Sequence, residues 1–315
     1  MTIPTEPIGS IPRPLALIEA IQAAGNGTDP SLEAHYDAAI RDTIEQFEAT
    51  GSPVIADGEQ RKYHNFWTYS VEGLANTAPD GFAIPFAAGH VRRMPRLTAG
   101  PFRYRCYADA YLDQALQYAK VPLKQAVISP SALSLMYPEE GRLALKVDPS
   151  GSLLVSFIDL NNLALGRLSG AERARLGVHT CPGGDRDSTH SADVDYADFL
   201  PSLCELNVRN FYVALAGERD RTRILEIIRE RMRPDQRLFV GVVAPIDPRI
   251  ETPEEVCDRV LEAAAYIPVE QLGTTDDCGF APFSDDTSTT RETAFRKIRA
   301  RVLGTAAAAR ELGVA

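Results

Sequence analysis

No apolar run in this 315-residue chain approaches the roughly 20 residues that a membrane-spanning helix requires. The N-terminus, "MTIPTEPIGSIPRP", has neither the basic region nor the apolar stretch of a secretory signal, so a cytoplasmic location is expected. Cations are in the minority: 33 Lys and Arg stand against 43 Asp and Glu, for a formal net charge of −10. With no basic surplus to neutralise phosphates, nucleic acid and anionic membranes are poor partners, and the arginines present must act singly. A homo-oligomer is left open. Cysteine is sparse and odd in number (Cys106, Cys181, Cys204, Cys257 and Cys278), the wrong pattern for a disulfide scaffold. Any cysteine that matters here acts as a thiol or a metal ligand. No Gly-, Ser- or Pro-rich linker and no low-complexity tract divides the chain, so one domain over residues 1–315 is expected.

What is present is an alternation of short apolar runs with helical patterns, the signature of a parallel sheet wrapped by helices. Strand-like segments occur at "EPIGS", "PVIADGE", "KQAVISP", "RLGVHTC", "NFYVALAG", "RLFVGVVAP" and "QLGTTDDCG". In "ETPEEVCDRVLEAAAY", Thr252 is placed to cap a helix, with Pro253 at its first position and Glu255 completing a capping box. The last helix should face the core through Phe295, Ile298, Val302 and Ala306 and end at Gly313. The Pro-, Gly- and aromatic-rich stretch from Asn76 to Arg105 reads as an excursion from the core.

Seven such segments are one short of a (β/α)8 TIM barrel, and the shortfall has a location. "QAVISPSALSLMYP" passes straight to "EEGRLALKVDPSG", with no room for a helix and a full strand. Either "GRLALKV" is a shortened fourth strand reached without its helix, or a segment is missing between Pro138 and Glu139. The second reading is preferred, with "GRLALKV" in or beside the fourth place.

Barrel active sites are built where strands end. In "GVHTCPGG", His179 and Cys181 are two residues apart on a strand and so project to one side as it ends. Cys278 in "TTDDCGF" ends the last strand. Two thiols and an imidazole suit a tetrahedral zinc ion, and Glu218, closing "NFYVALAGE", is the candidate fourth ligand. His190 in "DRDSTH" and His64 in "KYHNFW" are candidate proton donors to the electrophile. Arg13, Arg61 and Arg186 each follow a strand end and suit an anionic tail such as a sulfonate. Glu59 suits an ammonium instead, so the charge of the group bound there stays open.

"EPIGSIPRP", "ADGEQRKYHNFW", "HTC" and "DDCG", in this order, resemble the catalytic barrel of cobalamin-independent methionine synthase over nearly the whole chain. The resemblance implies a zinc ion held by His, Cys, Glu and Cys that binds the substrate thiol as thiolate. His179, Cys181 and Cys278 match those ligands, and Ile8, Gly9, Ser10 and Glu59 match positions that bind the thiol's polar tail. Glu218 matches loosely, because the family's glutamate lies earlier on its strand, where this chain has apolar residues. "GVHTCPGGDRDSTHSADVDYA" and "LGTTDDCGFAPFSDDTST" are more similar to a single-barrel branch, the epoxyalkane:coenzyme M transferases, also called 2-hydroxypropyl-coenzyme M lyases. That branch carries a helix and an acidic strand where this chain passes from Pro138 to Glu139. The expected function is a zinc-dependent alkylation of a small thiol, most like that branch. The alternatives are a methionine synthase-like S-methyltransferase, with homocysteine as acceptor and a methyl-pterin or methyl-corrinoid as donor, and a non-catalytic zinc-binding carrier partner.

Overall fold

The structure is a computed structural model that describes residues 2–62, 66–85, 91–134, 136, 152–181 and 195–315. The excursion is an antiparallel hairpin, β1 (Thr77–Pro85) against β2 (Val91–Leu97), with its register shifted by a bulge between Ala78 and Phe82. Small apolar clusters outside the main core serve it: Leu97 of β2 packs with Val71 and Met136, and Met94 packs with Trp67 and Tyr69.

The remaining strands are parallel. β3 (Gly177–Thr180), β4 (Asn210–Val213), β5 (Arg237–Val243) and β6 (Leu272–Asp276) lie side by side in chain order. β5 and β6 are buried almost throughout, as near-continuous apolar runs are when both faces of a sheet are covered. Beyond β6 the pairing continues into the N-terminus, where Thr5 bridges Thr274 in parallel and the Glu6 N–H donates to the Thr274 carbonyl at 3.0 Å. Ile11 N–H donates to the Gly58 carbonyl (3.0 Å), and Ile55 bridges Leu123 in parallel. The expected strands at "EPIGS", "PVIADGE" and "KQAVISP" are thus reduced to single bridges near Thr5, Ile55 and Leu123. The Pro138–Glu139 junction and "GRLALKV" lie outside the described residues.

Among the described residues, the helices of seven residues or more are α1 (Leu15–Ala24), α2 (Glu33–Ala49), α3 (Asp109–Ala115), α4 (Ser152–Leu165), α5 (Tyr196–Leu203), α6 (Arg221–Arg231), α7 (Pro253–Ala264) and α8 (Arg291–Glu311). No described helix is long and apolar enough to cross a membrane. α7 starts as its residues dictate: the Glu255 N–H donates to Thr252 Oγ1, and the Thr252 N–H donates to the Glu255 carboxylate. α8 departs from expectation. Phe295 and Ile298 are buried, but Val302 is half-buried and Ala306 is exposed; the inward face runs through Arg301, Gly304, Thr305 and Ala308. Gly304 accounts for the rotation, because a Cβ there would fall 2.5 Å from the Pro253 carbonyl and from Val256. α7 and α8 touch backbone to backbone at that point. Ile40, Ile44 and Phe47 of α2, Val240 and Val242 of β5, Leu272 and Ile298 share one continuous core. Burial in that core keeps the Cys257 thiol above its ordinary range, and burial likewise pushes Cys204 up to about 11.

Candidate metal centre

His179 lies on β3 and Cys181 directly follows it, so the pleat turns both to one side. Cys278 comes two residues after β6. The ligand atoms of these three residues all lie within 4.8 Å of one another, with the two Sγ atoms 3.9 Å apart. β3 and β6 are the outer strands of the four, so in a flat sheet they would stand about 14 Å apart. The sheet must curl strongly for its two edges to share a site.

The surroundings of His179 suit a ligand role. Its Nδ1 donates to the Tyr212 carbonyl at 3.2 Å, which leaves the lone pair on Nε2, and Nε2 is buried without a hydrogen-bond partner. Burial disfavours the imidazolium, but the Cys181 charge and the Tyr212 carbonyl outweigh it and hold His179 above its ordinary value. Tyr212 is itself held firmly. Its hydroxyl donates to Glu6 Oε2 (2.6 Å), its ring stacks on Phe239 with centroids 4.5 Å apart, and Lys124 Nζ lies 3.8 Å from its centroid. Glycines flank the two rings: a Cβ on Gly177 would fall 2.3 Å from Tyr212, and one on Gly273 would fall 2.7 Å from Phe239. Burial pushes Lys124 down to about 8, against the pull of Glu6. One imidazole nitrogen and two sulfurs form a donor set that suits a borderline-soft divalent ion.

Next to Cys278 runs the N-terminal segment. Ser10 Oγ accepts the Ala281 N–H (3.2 Å), the Ser10 carbonyl accepts the Phe280 N–H (3.0 Å), and the Ile8 N–H donates to Asp276 Oδ2 at 3.4 Å. Gly9 faces Glu59: a Cβ on Gly9 would stand 3.2 Å from Glu59 Oε1. Glu59 has φ 58°, the one positive value among described non-glycine residues, in a turn where its N–H donates to Asp57 Oδ1 (2.9 Å). Strained backbone of this kind persists where the surroundings hold it, often at functional sites. The Glu59 carboxylate is buried 3.2 Å from the ammonium of Lys62, a residue the sequence reading missed. A lysine in a polar motif carries no sign of burial.

With this geometry in view, comparison with known proteins is informative. The family profile described as the cobalamin-independent synthase catalytic domain matches residues 173–300, the span that contains His179, Cys181 and Cys278. A methionine synthase of Sulfurisphaera tokodaii is 25% identical over 346 residues, covering 98% of this chain and 94% of the relative. Residues 173–300 are thus similar to the cobalamin-independent synthase catalytic domain, and the chain as a whole is similar to proteins named methionine synthase. A 5-methyltetrahydropteroyltriglutamate–homocysteine methyltransferase of Nitratidesulfovibrio vulgaris is 24% identical over 88% of this chain and 39% of its own length. The structure of a B12-independent methionine synthase from Shewanella sp. W3-18-1 superposes with a TM-score of 0.73 at 19% identity, covering 100% of both chains, so the two share a fold. The alignment with the Sulfurisphaera methionine synthase has more positions than this chain has residues, so that relative carries segments this chain lacks.

These comparisons give no support to the epoxyalkane:coenzyme M branch. Glu218 does not join the His179, Cys181 and Cys278 cluster. Its N–H closes a turn onto the Leu215 carbonyl (3.1 Å), which carries it past the strand end, and burial with nearby Asp195 raises its carboxyl. Arg13 is not open to an anionic tail, because its guanidinium is buried and donates to the carbonyls of Gln60 (3.1 Å), Phe283 (3.1 Å), Glu59 (2.8 Å) and Lys62 (2.7 Å). It organises the Glu59 turn from beneath. Arg61 pairs with Glu33 and lies over the Tyr36 ring at 5.0 Å, drawn to the nearest carboxylate on α2. His64, Arg186 and His190 lie outside the described residues.

Proposed function

We propose that this chain is a zinc-dependent S-methyltransferase of the methionine synthase type, on a single (β/α)8 barrel spanning residues 1–315. Its acceptor is a small amino-acid thiol such as homocysteine, and its donor is a methyl-pterin or methyl-corrinoid. The observation that carries the reading is the convergence of the ligand atoms of His179, Cys181 and Cys278 from the two edges of a curled sheet, with His179 Nε2 buried and without a hydrogen-bond partner. The names borne by the relatives agree with it. An eighth strand between the Leu123 segment and β3 would close the barrel.

Zinc held by His179, Cys181 and Cys278 would lower the pKa of a bound thiol from about 8.5 and so supply a sulfur nucleophile at neutral pH. The protein's own part is orientation and charge. The Tyr212 carbonyl keeps Nδ1 protonated and so leaves the Nε2 lone pair available to a metal. Glu59, across from Gly9, offers a carboxylate to the substrate ammonium, and Ile8, Gly9 and Ser10 line the approach beside Cys278. Among the described residues no carboxylate joins the three, which would leave a fourth position for the substrate sulfur.

The test is product formation. Zinc-loaded protein is offered homocysteine or 2-mercaptoethanesulfonate, each with methyl-pterin, methyl-corrinoid or epoxypropane, and thioethers are read by mass spectrometry. Methionine from homocysteine is the expected product. A hydroxypropyl thioether of the sulfonate would overturn this reading in favour of the epoxide chemistry, and no thioether from any pair would reduce the protein to a zinc-binding carrier.

A further inference from the structure

Asp277 is almost fully buried, and its carboxylate collects three backbone N–H groups from one turn. Oδ1 accepts from Leu215 and Ala216, both at 2.8 Å, and Oδ2 accepts from Gly217 at 2.7 Å. That turn follows β4 and Asp277 follows β6, so the side chain passes over β5, which lies between them. It passes at Gly241, where a Cβ would stand 1.8 Å from Asp277 Oδ1. Consecutive amides converging on one carboxylate make a nest for an anion, here filled from within the chain. The backbone adds a further tie, since the Asp277 N–H donates to the Val243 carbonyl at 2.9 Å. Cys278 is the next residue. β4, which ends in the nest, pairs along its length with β3, the strand of His179.

We propose that Asp277 is a positioning residue for the metal site: its carboxylate, seated in the amide nest of residues 215–217, sets the placement of Cys278 against His179 and Cys181. This rests on reading the three residues as a metal site. Gly241 belongs to the same device, because any larger residue would occupy the carboxylate's path.

Cobalt(II) is the probe, since its thiolate absorption reports on both sulfurs and its affinity can be titrated without turnover. Asp277→Ala should weaken cobalt binding roughly 10- to 100-fold, the usual cost of losing a supporting contact. Formate should restore both affinity and absorption by occupying the vacated nest, whereas chloride at equal ionic strength should not. Gly241→Ala should weaken binding similarly with no rescue by formate, because the displaced Asp277 is still present. If Asp277→Ala does not fold, Asp277→Asn keeps the volume but turns an amide against an N–H donor, and the same loss of affinity and altered absorption are expected. Wild-type affinity and absorption in the Asp277 variant, or a loss in Asp277→Ala that formate leaves untouched, would overturn the role of Asp277 while leaving the metal site standing. Failure of the unaltered protein to bind cobalt would overturn both.

Discussion

Ser10 Oγ occupies the space where a Cβ on Gly279 would stand, 2.0 Å from that position. The contact joins the N-terminal segment, which under the proposed function would line the approach for a thiol's tail, to the residue after Cys278. Two hydrogen bonds repeat the link, from Phe280 and Ala281 to Ser10. Under the proposed function, tail recognition and metal ligation would be mechanically one unit.

Gly279→Ala should prise that unit apart. Overpacking of this kind typically costs about 1–3 kcal/mol, which urea unfolding would register. Homocysteine affinity, followed by calorimetry on zinc-loaded protein, should fall while zinc content stays near that of the unaltered protein. Undiminished homocysteine binding in the variant would mean that the Ser10 segment does not line the thiol's path.

The metal itself gives the plainest check. Purified protein should carry about one zinc per chain, as a single catalytic-type site does. Cys181→Ser and Cys278→Ser should each lose most of it, whereas Glu218→Gln should keep it, since Glu218 stands outside the cluster. Full zinc retention in both serine variants would remove the site.

Lys297 and Glu251 form an ion pair with both side chains fully buried, Nζ to Oε2 at 2.8 Å. Nζ also donates to the Ala244 carbonyl (3.0 Å), and Glu251 Oε1 accepts the Ala244 N–H (2.9 Å), so the pair fastens the loop after β5 to α8. Lys297→Met leaves the buried Glu251 carboxylate with only the longer contact to Arg259 (3.7 Å) and should cost about 3–5 kcal/mol in urea unfolding. Adding Glu251→Leu should recover part of the loss. A single variant that unfolds like the wild type would show that the pair does not hold the loop.

Lys124 supplies a pH signature. Burial against the Tyr212 ring depresses it to about 8, below the ordinary lysine value of about 10.4. Between those two values the unfolded chain binds the extra proton and the folded chain does not. Stability from this group therefore rises as pH increases through that window, and is lowest below about 8. Lys124→Gln should flatten the rise, measured as the change in unfolding free energy from about pH 7.5 to about pH 10 against the wild type. An identical rise in the variant would assign it to other groups.

Several features could be read without coordinates because each depends only on neighbours along the chain. The pleat of a strand turns residues two apart to one side, which marked His179 and Cys181 as a pair. The capping box of Thr252 and Glu255 closes within one helical turn, and the structure has it as expected. The parallel order of β3, β4, β5 and β6 follows from the alternation of apolar runs with helical patterns.

Long charged side chains were a different matter, since their partners are chosen by proximity in space. Arg13 and Arg61 both follow a promising strand end; the first is surrounded by backbone carbonyls, and the second reaches Glu33 on α2. The pairing of Glu59 with Lys62 depends on the left-handed turn at Glu59. The inward face of α8 was misread for a similar reason: Gly304 allows α7 so close that the helix is rotated away from its most apolar stripe. The chemistry of each ligand was thus set by residue type and strand register, which are local. Its assembly with Cys278, 97 residues from Cys181, needed the curvature of a whole sheet, because β3 and β6 are the outer strands of the four and meet only when the sheet curls.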